Sequence, residues 1–396
     1  MTISRAMKEQ MGGSSLIRKM FEEGERLKKI YGEDKVYDFS LGNPNLEPPQ
    51  AFLDGLRELA LNPVPGMHRY MSNAGYMETR SAIAEVLAEK SGKPVTGEHV
   101  IMTVGASGAL NCALKAILDP GDEVIILAPF FVEYKFYIAN HGGVDRIVDT
   151  QEDFQIDIAA IEQAINPRTR AVIINTPNNP TGVIYTASSL EALNTVLEEA
   201  SKKYGRPIYV ISDEPYAKIA YDGVEVPPVF KHIRYSILVT SHSKDLALPG
   251  ERIGYLAANP DIPEVDLLMG ALTLANRVLG YVNAPALMQR IVAKLQRESV
   301  DIAAYQDKRD LLYNSLTEMG YKMVKPQGAF YLFPQSPTPD EMEFVQMAQK
   351  KNLLVVPGIA FGKPGYFRIS YCVDRKVIEN ALPVFQELAE ELNLKK

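Results

Sequence analysis

Between residues 100 and 243 the chain repeats one pattern: a short aliphatic run, a helical stretch, then another aliphatic run. The runs are VIMT, EVIILA, VDRIVDT, AVIIN, IYVISDE and SILVTSHS. Between them lie stretches with helical periodicity, such as SGALNCALKAIL, VEYKFYIAN and SSLEALNTVLEEASKKYG. Gly142 and Gly143 follow the second of these as a helix stop. Strands that are apolar throughout, separated by amphipathic helices, predict a mostly parallel sheet covered on both faces. Few other folds accept this pattern, and the α/β class that does gathers its chemistry in the loops at the carboxyl ends of the strands.

The flanking regions read differently. Leu16 to Tyr31 has the spacing of an amphipathic helix; a strand VYDFS and the loop SLGNPNLEPP follow it. Beyond the repeat, Asn283 to Met319 reads as one long helical stretch. It is followed by YKMVKP, GAFYLFPQ, a helix near Glu341 to Lys351, LLVVPG, YFRIS and a final helix from about Asp374. Strands and helices mixed in this way predict a smaller α+β domain to which the N-terminal segment returns. A length of 396 residues suits two domains, set here as 48–290 for the larger and 1–47 with 291–396 for the smaller.

Charge and composition narrow the function classes. A net charge of -7 with no basic run argues against a nucleic-acid partner. Cys112 and Cys372 are the only cysteines, and both sit among apolar neighbours. Buried reduced thiols are expected and no metal centre. No apolar run approaches the roughly 18 residues of a membrane span, and the opening MTISRAMKEQMGGSS lacks a signal-like apolar core. A soluble cytoplasmic protein is the expectation. The glycine-rich GASGAL does not have the G-x-G-x-x-G spacing of a dinucleotide site, which argues against a dehydrogenase.

The strand ends carry GASG, APFF, NTPNNPTG, SDEPY and SHSKDLALPGER. A lysine such as Lys244, at the start of a loop or helix, is ordinarily solvated. Here Ser241, Ser243 and Arg252 surround it in sequence, and two hydroxyls with a guanidinium suit a dianionic phosphate. A lysine beside a phosphate site suggests a phosphate-bearing carbonyl cofactor held as an imine. Asp213, at the end of IYVIS, is the candidate carboxylate for a pyridinium nitrogen, although such residues also cap helices. Tyr216 and Asn179 can bond a ring oxygen, while NNPTG is in any case a turn. Ser107 opens a helix whose amides can cradle phosphate. Phe131 can stack on a flat ring or simply fill the core. Arg368, within the apolar strand YFRIS, is either a clamp for a carboxylate or a partly exposed edge residue.

Together, SLGNP, HRYMSNAGY, TVGASGAL, NNPTG, SDEPY, SHSKDLALPGERIGY and FRIS, in this order, resemble the class I aminotransferases of the aspartate aminotransferase family, fold-type I pyridoxal-phosphate enzymes. The resemblance implies a large domain with a seven-stranded, mostly parallel sheet between helices and a small α+β domain from the two chain ends. It implies pyridoxal 5'-phosphate as cofactor, with Lys244 as its Schiff-base lysine and proton carrier. Asp213 would pair with the ring nitrogen, and Tyr216 and Asn179 with the ring hydroxyl. Ser241, Ser243, Arg252, Ala106 and Ser107 would bind phosphate, and Phe131 would stack on the ring. Arg368 would hold the substrate carboxylate near Gly42 and Asn179. Tyr70 matches a tyrosine that reaches the phosphate of a neighbouring subunit, which implies a homodimer with shared sites.

The implied activity is transamination between an L-amino acid and a 2-oxo acid. Carbon–sulfur β-lyases and cyclopropane-forming synthases share the scaffold and remain alternatives. A non-enzymatic ligand sensor is another, and it would call for an added DNA-binding module, for which the sequence offers no basic segment. Asn276 and Arg277 fall where the family reads the substrate side chain, but Arg277 reads equally as a surface helix residue.

Overall fold

The computed structural model describes residues 2–12 and 16–394. The first strand, β1 (Tyr37–Asp38), lies outside the main sheet. The next seven build it: β2 (Val100–Thr103), β3 (Glu123–Ala128), β4 (Val144–Asp149), β5 (Thr169–Asn175), β6 (Tyr209–Asp213), β7 (Ser236–Ser241) and β8 (Gly254–Ala258). Their spatial order is β2-β8-β7-β6-β5-β3-β4. All neighbours run parallel except β8, which is antiparallel to both β2 and β7. The six aliphatic runs of the sequence are therefore strands of one sheet, and GYLAA adds an antiparallel strand that the alternation did not announce.

Successive residues of a strand point to opposite faces, and the sheet uses both. Ile125, Leu127, Val172, Ile174 and Val210 enter one core, packed with Ile83 from helix Met77–Ser91 and Leu190, Leu193 and Leu197 from helix Ala187–Tyr204. Their neighbours Val124, Ile126, Ile173, Tyr209 and Ile211 enter the other, with Ala109, Ala113 and Leu272. The latter belong to helices Gly105–Ile117 and Val265–Val278. This two-faced burial is why the inner strands read as unbroken apolar runs, whereas β4, mostly exposed at the sheet edge, carries Asp145, Arg146 and Asp149. The helix after β2 begins at Gly105, two residues ahead of the expected start at Ser107. Gly105 has φ +79°, a left-handed turn that lets the chain swing directly from strand into helix.

The chain ends share a third core. Four short strands, β9 (Tyr331–Leu332), β10 (Leu353–Leu354), β11 (Val356–Pro357) and β12 (Phe367–Ser370), belong to it. β1 pairs in parallel with β10, while β11, β12 and β9 form an antiparallel sheet. Phe39, Tyr305, Leu312, Phe330, Phe344, Phe367 and Phe385 fill the space between these strands and helices Ile302–Met319, Glu341–Lys350 and Arg375–Glu391. The N-terminal segment thus returns to the C-terminal part of the chain. Two expectations are corrected. Asn283 to Met319 is not one helix but two, Ala286–Val292 and Ile302–Met319. The second has its own start, because Asp301 Oδ1 accepts from the amide of Ala304 (3.2 Å). YKMVKP forms no strand and runs as an extended connector.

No described helix is long and apolar enough to cross a membrane. Cys112 and Cys372 are both buried and free, as their neighbours predicted.

Candidate active site

A cavity of about 300 Å³ lies at the carboxyl ends of β5, β6 and β7, between the sheet and the core of the chain ends. Every residue assigned from sequence to the cofactor or the substrate carboxylate lines it except Tyr70; Asn276 and Arg277 do not. The helix beginning at Gly105 brings Ala106 and Ser107; the turn after β3 brings Phe131; β6 and its turn bring Asp213 and Tyr216. Ser241, Ser243 and Lys244 follow from β7, and Arg252 from the turn before β8. Gly42, Asn179 and Arg368 close the opposite wall.

Lys244 sits at the floor of the cavity. Its Nζ donates to the carbonyl of Gly42 (2.7 Å) and lies 5.5 Å from the centroid of the Phe330 ring. Burial, reinforced by the positive charges of Arg368 and Arg252, lowers its pKa to about 8, so the free amine is far more available near neutrality than in an ordinary lysine. Asp213 is buried, and that burial raises its carboxyl to about 7. Its Oδ2 accepts from the hydroxyl of Tyr134 (2.5 Å), which works in the opposite direction, while Oδ1 has no partner. The Tyr216 hydroxyl lies 2.8 Å from that of Tyr331.

Arg368 is 2% exposed, which removes the edge-strand reading. Its guanidinium lies 4.7 Å from the ring centroids of both Tyr331 and Phe361. One terminal nitrogen donates to Asn179 Oδ1 (2.9 Å) and the other to the carbonyl of Ser40 (2.7 Å), whereas Nε has no partner. Asn179 is held by its own amide, which donates to Asn175 Oδ1 (2.7 Å). Asn175 in turn donates to the carbonyl of Asp213 (2.8 Å), so one chain of bonds joins the carboxylate end to the guanidinium end.

At the remaining end, Ser241 and Ser243 are buried and line the cavity. Ser107 accepts from the Tyr137 hydroxyl (3.0 Å). Arg252 holds its φ at +53° and donates to the carbonyls of Pro249 and Val104 (3.1 Å each), which folds its guanidinium over Gly105. A Cβ on Gly105 would come within 2.8 Å of Arg252 Nη2, so glycine there permits the approach.

Tyr70 is the exception. It is 90% exposed and stands apart from the cavity of its own chain. Asn276 points elsewhere as well: its amide donates to the carbonyl of Asn73 (2.9 Å) and its Oδ1 faces Cys112 Sγ. Arg277 is exposed on the same helix and does not line the cavity. Tyr134, Tyr331, Ile17 and Leu41 are cavity or second-layer residues that sequence reasoning missed. Nothing local distinguishes Tyr134 within VEYKFYIAN or Tyr331 within GAFYLFPQ from core aromatics.

These residues fit pyridoxal phosphate. A buried carboxylate oxygen lacking a donor suits a protonated ring nitrogen, a buried amine of lowered pKa suits a carbonyl carbon, and two hydroxyls beside a guanidinium suit a phosphate.

Comparison with known proteins agrees. The family model described as aminotransferase class I and II matches residues 34–385. A probable aspartate/prephenate aminotransferase of Thermus aquaticus is 35% identical over 353 residues, covering 87% of this chain and 89% of that protein. An aromatic-amino-acid aminotransferase of Thermococcus litoralis is 32% identical, covering 97% of this chain and 98% of that one. The crystal structure of an amino transferase from Eubacterium rectale superposes with a TM-score of 0.96 at 41% identity, covering 99% and 100% of the two chains.

Proposed function

The chain belongs to the class I and II aminotransferase family, and on that premise we propose a role for each residue of the site. It is a pyridoxal-phosphate-dependent enzyme that transfers an amino group between an L-amino acid and a 2-oxo acid. When bound, the cofactor supplies a carbonyl that captures amines and a cationic ring that withdraws electrons from the substrate α-carbon.

The chain's own residues do the rest. Lys244 anchors the cofactor and its Nζ then acts as the base that moves the α-proton, a contribution of about 10²–10⁴-fold. A pKa of about 8 leaves it able both to accept and to give a proton near neutrality. Asp213 faces the ring nitrogen and keeps it protonated, oriented by Tyr134. Tyr216 and Asn179 bond the ring hydroxyl, and Phe131 stacks on the ring. Ser241, Ser243, Arg252 and the helix start at Ala106 and Ser107 hold the phosphate. Arg368 clamps the substrate α-carboxylate beside Gly42 and Asn179. The observation that carries these assignments is the pairing, in one cavity, of a buried amine at Lys244 with the unpartnered oxygen of Asp213. Lys244→Ala should lose turnover and the cofactor's visible absorbance together. Normal turnover in that variant would remove the lysine from its role.

For the substrate side chain we propose a neutral, apolar or aromatic group. Ile17, Leu41 and Tyr331 line the cavity, and its cations are Lys244, Arg252 and Arg368, all assigned above. The name of the Thermococcus relative is consistent with an aromatic substrate. Arg277→Ala tests this: a loss confined to acidic substrates would mean that Arg277 reads an acidic side chain from a neighbouring subunit.

We further propose a cytoplasmic homodimer with shared sites. Leu267, Leu274 and Val278 are 69%, 49% and 57% exposed and follow one face of helix Val265–Val278. The Tyr70 loop lies near the C-terminal end of that helix, since Asn283, just past it, donates to the carbonyl of Ser72 (2.7 Å). Tyr70 thereby has a surface across which to reach a second chain. Light scattering should give the mass of two chains. A two-domain division, read from sequence as 48–290 against 1–47 with 291–396, is supported by the separate core of the chain ends, with the second boundary moved beyond Leu295 because Ile291, Val292 and Leu295 pack in the core of the main sheet.

A further inference from the structure

The same strand ends that feed the active site carry a second cavity, about 400 Å³, on their other face. Alternate residues divide between the two. Asp213 lines the active site and Glu214 the second cavity; Ser241 and Ser243 line the first, Thr240 and His242 the second. Its volume lies in the range of small-molecule sites.

The second cavity holds a buried carboxylate with no cation in ion-pair contact. Glu214 is 7% exposed, and its Oε1 accepts from the Ser212 hydroxyl (2.6 Å). Among the described residues no Lys, Arg or His lies within ion-pair distance of it; Lys90 is exposed at the rim. His242 is 2% exposed and its Nδ1 faces Asp245 (3.2 Å). Asp245 also receives Lys218 Nζ (3.1 Å), so both of those groups are occupied with each other. His242 Nε2 is buried without a partner. Val86, Leu87, Phe230 and Leu238 give the wall an apolar patch, and Lys90, Ser91, Lys218, Glu225 and Gln296 complete it.

We propose that this cavity is a second binding site, distinct from the catalytic one, for a small molecule that carries a protonated amine on an apolar body. The ammonium donates to Glu214, and the body covers the patch of Val86, Leu87, Phe230 and Leu238. Burial raises Glu214 to about 7, outweighing the Ser212 hydrogen bond and the charge of Lys90 at the rim, and an ammonium beside it restores the carboxylate. A metal is not called for, since no cluster of ligands able to hold one occurs among the described residues.

The test is calorimetry on the holoenzyme with N,N-dimethylbenzylamine, a tertiary amine that cannot condense with the cofactor carbonyl. Benzyl alcohol, with the same ring and no charge, is the control. Saturable binding of one probe per chain is expected, with the alcohol at least about tenfold weaker. Glu214→Gln should weaken the amine by at least about tenfold, and Val86→Trp, which fills the cavity, should abolish binding. Absence of binding at millimolar probe, equal affinity for amine and alcohol, or unchanged affinity in either variant would overturn the proposal. The amine-to-alcohol comparison needs no variant, so it stands even if a substitution prevents folding.

Discussion

Replacing Arg368 gives the sharpest measure of how this site recognises its substrate. The side chain is 2% exposed and fixed by Asn179, Ser40 and the rings of Tyr331 and Phe361. A substrate carboxylate placed against it would form a buried, bidentate pair. Breaking such a pair by removing one partner costs about 3–5 kcal/mol, because the other charge is left buried alone. At about 1.4 kcal/mol per tenfold, Arg368→Ala should lower kcat/KM for L-phenylalanine by about 10²–10⁴-fold. Arg368→Lys keeps the charge but loses the planar fork and the stacking, so it should recover only part of that loss. The assay is the single half-reaction followed by cofactor absorbance, run with L-phenylalanine and with phenethylamine, which lacks the carboxylate. The amine should react with both variants almost as it does with the parent enzyme. Equal losses for the acid and the amine would refute a carboxylate clamp and make Arg368 a purely structural residue.

Tyr134→Phe removes the donor that lowers the Asp213 carboxyl. Asp213 must be ionised to hold a cationic ring, so the acid limb of the rate profile should move up by about one to two pH units; an unmoved limb would detach Tyr134 from this function. Attachment of pyridoxal phosphate to the apoprotein needs the free amine of Lys244. Its rate should therefore rise with pH and level off above about 8, and levelling only near the value of an ordinary lysine would show an unperturbed amine. Phe385→Ala removes a ring buried against Phe39 and Tyr321 in the core of the chain ends. It should cost about 3–5 kcal/mol in denaturant unfolding, and a loss under about 1 kcal/mol would mean that this core is loosely packed.

The sequence was most legible where one residue type has few physical alternatives. Strands buried on both faces must be apolar throughout, so the parallel strands of the sheet stood out, and the loops at their ends drew attention to Asp213, Lys244 and Arg252. The strand Gly254–Ala258 was hidden because it follows a turn rather than a helix. The region after Asn283 was read as one helix since its residues are good helix formers. The break depends on a tertiary contact, the amide of Val300 donating to the carbonyl of Asp245 (2.7 Å). Tyr134 and Tyr331 were invisible for a related reason. Each acts through one hydroxyl whose partner, Asp213 or Tyr216, is distant in sequence. An aromatic whose ring packs in the core and whose hydroxyl serves the site has no local signature. Arg368 was noticed only because an arginine among buried apolar residues demands a reason.

The central claim is that this chain moves amino groups between amino and oxo acids. Its most direct test is a half-reaction of purified holoenzyme with a panel of L-amino acids, followed by cofactor absorbance and by mass spectrometry of the organic product. The account predicts that the band bleaches, that the matching 2-oxo acid is formed, and that a second 2-oxo acid restores the colour. Release of ammonia and pyruvate from cysteine-type substrates, with the band left intact, would contradict it.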